Sequence, residues 1–220
     1  MAVEERYPGI FIVEGKLATR NISPGTRVYG EKIVRLESGE YRIWDLFRSK
    51  LAGALKKGLR GLEIVPGAKV LYLGAATGTT PSHVSDIIGE EGELYCVEFA
   101  QRSMRELIAV CEKRPNMFPI HADANNPEEY KDVGEVDVVY MDVSQPNQSE
   151  ILIKNCYAFL KKGGIAYLCV KSQSIDVTLP PRQVFEIVKK QLARDFTVEQ
   201  EYELAPYDLD HLFLALRRKD

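Results

Sequence analysis

The chain has 220 residues, 45% hydrophobic and 28% charged, a balance that fits one soluble domain of about 100–200 residues with a modest appendage and excludes the disordered and fibrous classes. Its uninterrupted apolar runs, residues 165–170 among them, fall far short of the roughly 18–20 needed to cross a bilayer, and residues 1–8 are too polar for a secretory leader, so a cytoplasmic protein without membrane contact is expected. The net charge of −3 conceals a division, because residues 1–60 carry 12 Lys and Arg against 7 Asp and Glu, residues 61–150 carry 6 against 16, and residues 151–220 carry 11 against 9.

In chain order, residues 1–45 read as short extended segments at 11–13, 17–21, 27–29, 33–36 and 41–44, with Pro24-Gly25 and Ser38-Gly39 supplying turns. They form a small β-rich N-terminal unit. From Asp45 the spacing changes: Leu46, Leu51, Leu55 and Leu59 predict a helix ending near Gly61, which opens a second unit over 46–220. Beyond Pro66-Gly67, apolar runs at 70–73, 94–97, 118–121, 136–141, 165–170, 197–204 and 212–216 alternate with helical stretches at 82–88, 102–112, 150–160 and 182–194. Such alternation implies an α/β fold, a mostly parallel Rossmann-like sheet of seven strands covered on both faces. Only seven residues and no helix separate the last two runs, so they are expected to close the sheet as an antiparallel pair, an uncommon ending for nucleotide-binding dehydrogenases. Cys96, Cys111, Cys156 and Cys169 stand far apart, three of them in apolar surroundings, and are expected to be buried free thiols rather than zinc ligands or disulfides.

After the first run of the second unit comes Gly74-Ala75-Ala76-Thr77-Gly78-Thr79-Thr80-Pro81, with the helix expected from about Ser82. A glycine-bearing turn at a strand end lets backbone approach a ligand closely, and Glu98, at the end of the second run, can take both hydroxyls of a ribose. The turn does not match G-x-G-x-x-G, no helix start is expected close enough to cradle a pyrophosphate, and no G-K-[ST] is present, which argues against NAD and ATP. S-adenosylmethionine has no phosphate and a positive sulfonium, and suits the acidic middle of the chain. Asp123, after the third run, can accept an adenine amino group or act as a plain turn or helix cap. Asp142, Val143, Ser144 and Gln145 follow the fourth.

These residues, with Tyr41-Arg42-Ile43-Trp44-Asp45-Leu46-Phe47-Arg48-Ser49-Lys50, Val97-Glu98-Phe99-Ala100, Asp123-Ala124-Asn125 and Met141-Asp142-Val143-Ser144-Gln145-Pro146, resemble fibrillarin in its archaeal form. The likeness runs from about Tyr29 onward, and no arginine- and glycine-rich tail of the eukaryotic kind precedes it. Ala76 stands where methyltransferases in general often have glycine, a departure that fibrillarins share. The resemblance implies a class I methyltransferase fold that moves a methyl group from S-adenosylmethionine to ribose 2′-hydroxyls of rRNA and tRNA. It further implies a particle with a C/D box guide RNA, a Nop-domain scaffold protein and a kink-turn-binding relative of a ribosomal protein. By position, Thr79, Thr80, Glu98, Phe99, Asp123, Ala124, Asp142 and Gln145 would line the cofactor site, together with Gly74 and Ala75 of the turn and Val143 and Ser144 beside Asp142.

A ribose hydroxyl is a poor nucleophile until its proton has somewhere to go, and a lysine can serve as the base. Related 2′-O-methyltransferases use a Lys-Asp-Lys set with a fourth polar group, and Lys50, Asp142, Lys171 and His211 stand at corresponding places. Lys171 is expected to act as base, Lys50 to lower its pKa by proximity and help hold RNA, and Asp142 to orient an amine; His211 serves either catalysis or a structural hydrogen bond. Arg42, Arg48, Lys56, Lys57 and Arg60 are candidates for phosphate contacts, although the last three suit a wet helix face equally well. The acidic helices between residues 82 and 135 and the N-terminal unit are both open to a scaffold partner. Competing functions are a stand-alone RNA methyltransferase, a non-catalytic scaffold and, third, a dehydrogenase.

Overall fold

The computed structural model describes residues 3–219, with Met1, Ala2 and Asp220 outside that description. Five strands, β1 (Val3–Tyr7), β2 (Ile10–Val13), β3 (Lys16–Arg20), β4 (Ile33–Leu36) and β5 (Gly39–Ile43), make an antiparallel sheet in the order β1-β2-β3-β5-β4. Strand β1 escapes a hydrophobicity reading because it is a charged edge strand, with Glu4, Glu5 and Arg6 all exposed. Residues 27–29, expected as a strand, are irregular instead: the amides of Val28 and Tyr29 bond to the Glu31 carboxylate at 3.1 and 2.9 Å, which takes them out of any ladder.

Helix α1 (Lys50–Lys57) starts later than its leucine spacing suggests, because Ser49 caps it by accepting from the amide of Ala52, and it stops at Gly58 in the left-handed region. Then come β6 (Lys69–Leu73), α2 (Thr79–Ile88), β7 (Glu93–Glu98), α3 (Gln101–Cys111), β8 (Met117–His121), a 3-10 segment (Pro127–Val133), β9 (Val136–Met141), α4 (Gln148–Phe159), β10 (Leu160–Lys171), α5 (Ser172–Ile175), α6 (Pro181–Leu192), β11 (Phe196–Glu203) and β12 (His211–Arg218). The seven strands order as β11-β12-β10-β9-β6-β7-β8. β8, β7, β6, β9 and β10 run parallel, while β12 lies antiparallel between β10 and β11. The closing hairpin therefore forms as expected, with the last strand inserted and β11 at the edge. Chain order reverses between β6 and β9, so their carboxyl ends frame the crevice where open α/β sheets bind ligands.

One core lies between the seven-stranded sheet, α1, α2 and the N-terminal sheet, uniting Ile10, Leu17 and Trp44 with Leu51, Leu55, Val84, Ile87 and Tyr140. A second fills the opposite face, where Ile151, Leu152, Val184 and Val188 of α4 and α6 meet Val139, Leu168 and Leu214. Because α2 is buried from Thr80 to Ile88, it offers no docking face, unlike the exposed side of α3. All four cysteines are buried and free. Among the described residues no helix is long and apolar enough to cross a membrane, and no group of His, Cys, Asp and Glu is placed to hold a metal ion.

Candidate active site

β6 delivers Gly74 into the crevice with φ +81, and a Cβ there would lie 2.7 Å from the carbonyl oxygen of Asp142, so glycine alone fits. The turn is tied to both neighbouring strands: Gly74 N donates to Val97 O at 2.9 Å, and Asp142 N to Leu73 O at 2.9 Å. Ala76 is left-handed at φ +48, and Gly78 caps α2. The helix begins at Thr79, not Ser82, because Pro81 falls in a first turn that needs no amide donor. A helix start thus follows the glycines directly, which corrects the expectation that none did; the case against phosphate cofactors rests on the motif mismatch.

At the end of β7 the Glu98 carboxylate is held at both oxygens, accepting from Ala76 N at 2.8 Å and Ala100 N at 2.7 Å, while the ring of Phe99 beside it is 65% exposed. Asp123 accepts from the backbone and side-chain nitrogens of Asn125 through one oxygen, both at 2.9 Å, so the turn role read as its alternative is real. Asn125 also donates to Gln145 at 3.1 Å and accepts from Asn147 at 2.8 Å, a polar seam joining the loops after β8 and β9. Ala75, Ala124 and Val143 are buried.

Across the crevice two ammonium groups flank one carboxylate. Lys50 Nζ lies 3.3 Å from Asp142 Oδ2, and Lys171 Nζ lies 2.8 Å from Asp142 Oδ1. The Lys171 ammonium is aimed instead at Asp142 O and Ser144 Oγ, each at 2.9 Å, which leaves the buried Oδ1 without a directed hydrogen bond among the described residues. Lys50 also meets Asp208 at 3.3 Å, and Asp208 pairs with His211 at 2.9 Å. Burial opposes the charge on Lys50, but Asp142 and Asp208 outweigh it and hold its pKa above the ordinary lysine range. Burial opposes the charge on Asp208 likewise, and His211 and Lys50 carry its pKa below the usual carboxylate value. The structure therefore brings Lys50, Asp142, Lys171 and His211 together, with Lys50 and Lys171 meeting through the carboxylate between them.

Asp208 was not singled out from sequence; its only signal is an acid three residues before His211, in the β11–β12 connection. Gln148 was missed too: from the start of α4 it donates to Val143 O at 3.3 Å and accepts from Lys171 N at 3.2 Å, pinning two strand ends. Arg42 is not a phosphate contact. Its side chain is wholly buried between Glu31 and Asp86, at 2.6 and 2.8 Å. Arg48, Lys56, Lys57 and Arg60 are exposed.

The fibrillarin family model matches residues 1–220. The chain belongs to the fibrillarin family. It is 48% identical to the fibrillarin-like rRNA/tRNA 2′-O-methyltransferase of Pyrococcus furiosus over 221 aligned positions, covering 98% of this chain and 97% of the relative. Among solved structures it is similar to Aeropyrum pernix fibrillarin in complex with natively bound S-adenosyl-L-methionine, with TM-score 0.90, 43% identity and coverage of 98% of each chain. It is also similar to the fibrillarin of a fibrillarin/Nop5p complex, with TM-score 0.89, 38% identity and coverage of 98% of this chain and all of that one. The seven-stranded sheet with one inserted antiparallel strand is the class I methyltransferase fold of this family.

Proposed function

We propose that the chain is an S-adenosylmethionine-dependent RNA 2′-O-ribose methyltransferase acting on rRNA and tRNA, the catalytic subunit of a cytoplasmic C/D box guide particle. The observation that carries it is the pair of ammonium groups on one carboxylate, set at the crevice beside the glycine turn. The residues present fit the cofactor: Glu98 and Asp123 offer carboxylates to hydroxyl and amino donors, the exposed Phe99 ring offers a stacking face, and Asp142 Oδ1 is buried without a directed donor among the described residues. S-adenosylmethionine, when bound, supplies a methyl group made electrophilic by its sulfonium.

The protein's own part is to place and deprotonate the attacking hydroxyl. Lys171, in its neutral form, would take the proton of the 2′-hydroxyl and then yield it to solvent. Asp142 fixes the Lys171 amine, and Lys50 stays a permanent cation for the substrate's negative charge. His211 acts through Asp208, which it holds against Lys50.

RNA affinity is assigned to a basic cleft that adjoins the pocket at Lys50. A cleft of about 870 Å³ between the N-terminal sheet and α1 is lined by Arg6, Lys16, Lys32, Arg48 and Lys56, and its wall at Phe47 and Arg48 is shared with a pocket of about 80 Å³ at Lys50. A sequence pI near 5.8 suits an enzyme that takes most of its RNA affinity from partners, here a guide RNA, a Nop-domain scaffold and a kink-turn-binding protein. The similarity to the fibrillarin of a fibrillarin/Nop5p complex supports the scaffold.

The deciding experiment is Lys171→Ala in a particle reconstituted with guide and target RNA. Methyl transfer should fall by about 10²-fold or more while S-adenosylmethionine binding, followed by calorimetry, is retained. Unchanged turnover removes Lys171 as the base, and guide-independent methylation by the lone chain replaces the particle with a stand-alone enzyme.

A further inference from the structure

Arg42, on β5, is spread over three partners with no exposed surface: Nε on Glu31 at 2.6 Å, Nη1 on Asp86 at 2.8 Å and Nη2 on Ser82 Oγ at 2.8 Å. Asp86 is saturated by Arg114 at 2.7 Å, by Thr19 Oγ1 at 2.6 Å and by the amide of Ile22 at 3.2 Å. Two guanidinium groups and two carboxylates thus sit in a closed, buried cluster between the N-terminal sheet and α2. Clusters of this kind are costly to desolvate, and apolar residues of similar volume often serve stability equally well or better, so stability alone does not account for it.

What the cluster does differently from an apolar contact is fix direction. The hydroxyl of Ser82 accepts from Arg42 and donates to the carbonyl of Thr79 at 2.8 Å, so the guanidinium reaches the first residue of α2 through one relay. Thr80, next along the same turn, donates to Ser49 Oγ at 3.0 Å, and Ser49 is the cap of the helix that Lys50 opens. The first turn of α2 is therefore held from one side by the N-terminal sheet and from the other by the start of α1.

We propose that Arg42 is a positioning residue for methyl transfer: through Ser82 it fixes the first turn of α2, so that the glycine turn before that helix and the lysine at the start of α1 share one frame. The N-terminal unit, residues 1–45, is on this account part of the methyltransferase machinery as a clamp. The inference rests on the methyltransferase function proposed above for its activity readout.

Ser82→Ala removes the relay and leaves both ion pairs of Arg42 in place. Ser85→Ala, the same change one turn along the same buried helix, removes bonds to Asn116 and Arg114 and none to Arg42. In the reconstituted particle S82A should lower kcat at saturating cofactor by about tenfold or more, since small misplacements of reacting groups cost that much. S85A should stay within about twofold of the unmodified protein at a similar Tm. Arg42→Lys, which keeps the charge but loses the fork, should behave as S82A or worse, and Ser82→Thr, which restores a hydroxyl, should recover most of the loss. Hydrogen exchange over residues 74–82 of the lone chain should rise in S82A and not in S85A. Equal kcat and equal exchange in S82A and S85A overturn the positioning role. If the unmodified protein neither binds S-adenosylmethionine nor transfers methyl, the functional proposal falls, and the exchange comparison still decides the clamp.

Discussion

Gly74 is held where no other residue fits, by a left-handed φ and by the Asp142 carbonyl that a Cβ would strike. Gly74→Ala carries about 1–2 kcal/mol of backbone strain before the clash is counted, and the clash can be relieved only by moving the β9 end that bears Asp142. Calorimetry on G74A should show S-adenosylmethionine affinity lower by about 10-fold or more, with a fall in Tm; retained affinity would mean that the Asp142 loop moves freely. Glycine and strand-end acid were legible in sequence because both are local: the turn lies within eight residues of β6, and Glu98 ends the next strand. Asp208 was illegible, since nothing near residue 208 indicates that Lys50 lies 3.3 Å away. Arg42 was misread for a related reason. A lone arginine in a basic stretch looks solvated until Glu31 and Asp86 are folded around it.

Helix α2 shows what packing adds to an element. Its start at Thr79 follows from the cap at Gly78 and a tolerated Pro81, both local facts, but its burial is set by the N-terminal sheet pressing on it. His83 marks that contact, stacked on Trp44 at 4.7 Å with its ring nitrogens on Thr19 and Tyr29 at 2.7 and 2.8 Å. Thr19 gives its proton to Asp86, so Nδ1 of His83 must donate and Nε2 must accept from Tyr29. Burial, with Arg42 and Arg114 nearby, holds the His83 pKa well below its ordinary value. In the unfolded chain the same ring titrates near about 6.5. Its contribution is therefore complete above that pH and is lost as pH falls below it, by up to about 1.4 kcal/mol per pH unit. Thermal unfolding should show Tm dropping between about pH 7 and pH 5, with a flatter profile in His83→Gln; a flat profile for the unmodified protein would contradict a neutral, buried ring. Residues 27–29 teach the complementary lesson, because a carboxylate close in sequence, Glu31, took the amides that a strand would have paired.

At the scale of the whole molecule, the near-neutral charge resolves into separate surfaces. The acidic middle of the chain supplies β6 to β9, whose ends carry the proposed cofactor site, while the basic first sixty residues line the cleft that shares Phe47 and Arg48 with the pocket at Lys50. Lys16 and Lys56 are exposed in that cleft and make no salt bridge among the described residues. Replacing both with alanine should weaken RNA binding by the particle to a similar degree for different guide sequences and reduce the salt dependence of log K by about one for each lysine that contacts phosphate. Filter binding across a salt series reads this directly, and an unchanged slope would place the RNA elsewhere. S-adenosylmethionine binding should be unaffected, since neither lysine belongs to the crevice.

The sequence by itself determined the strand and helix alternation, the glycine turn with its acid, and the family, because each is written in contiguous residues or in their periodicity. Only the tertiary structure decided which charges are solvated and which are locked away, how Asp142 joins Lys50 to Lys171 and Asp208 joins His211 to Lys50, and that the N-terminal sheet packs on α2. Those outcomes depend on contacts between residues far apart in the chain, whose energies are set by burial and direction, and neither exists until the chain has folded.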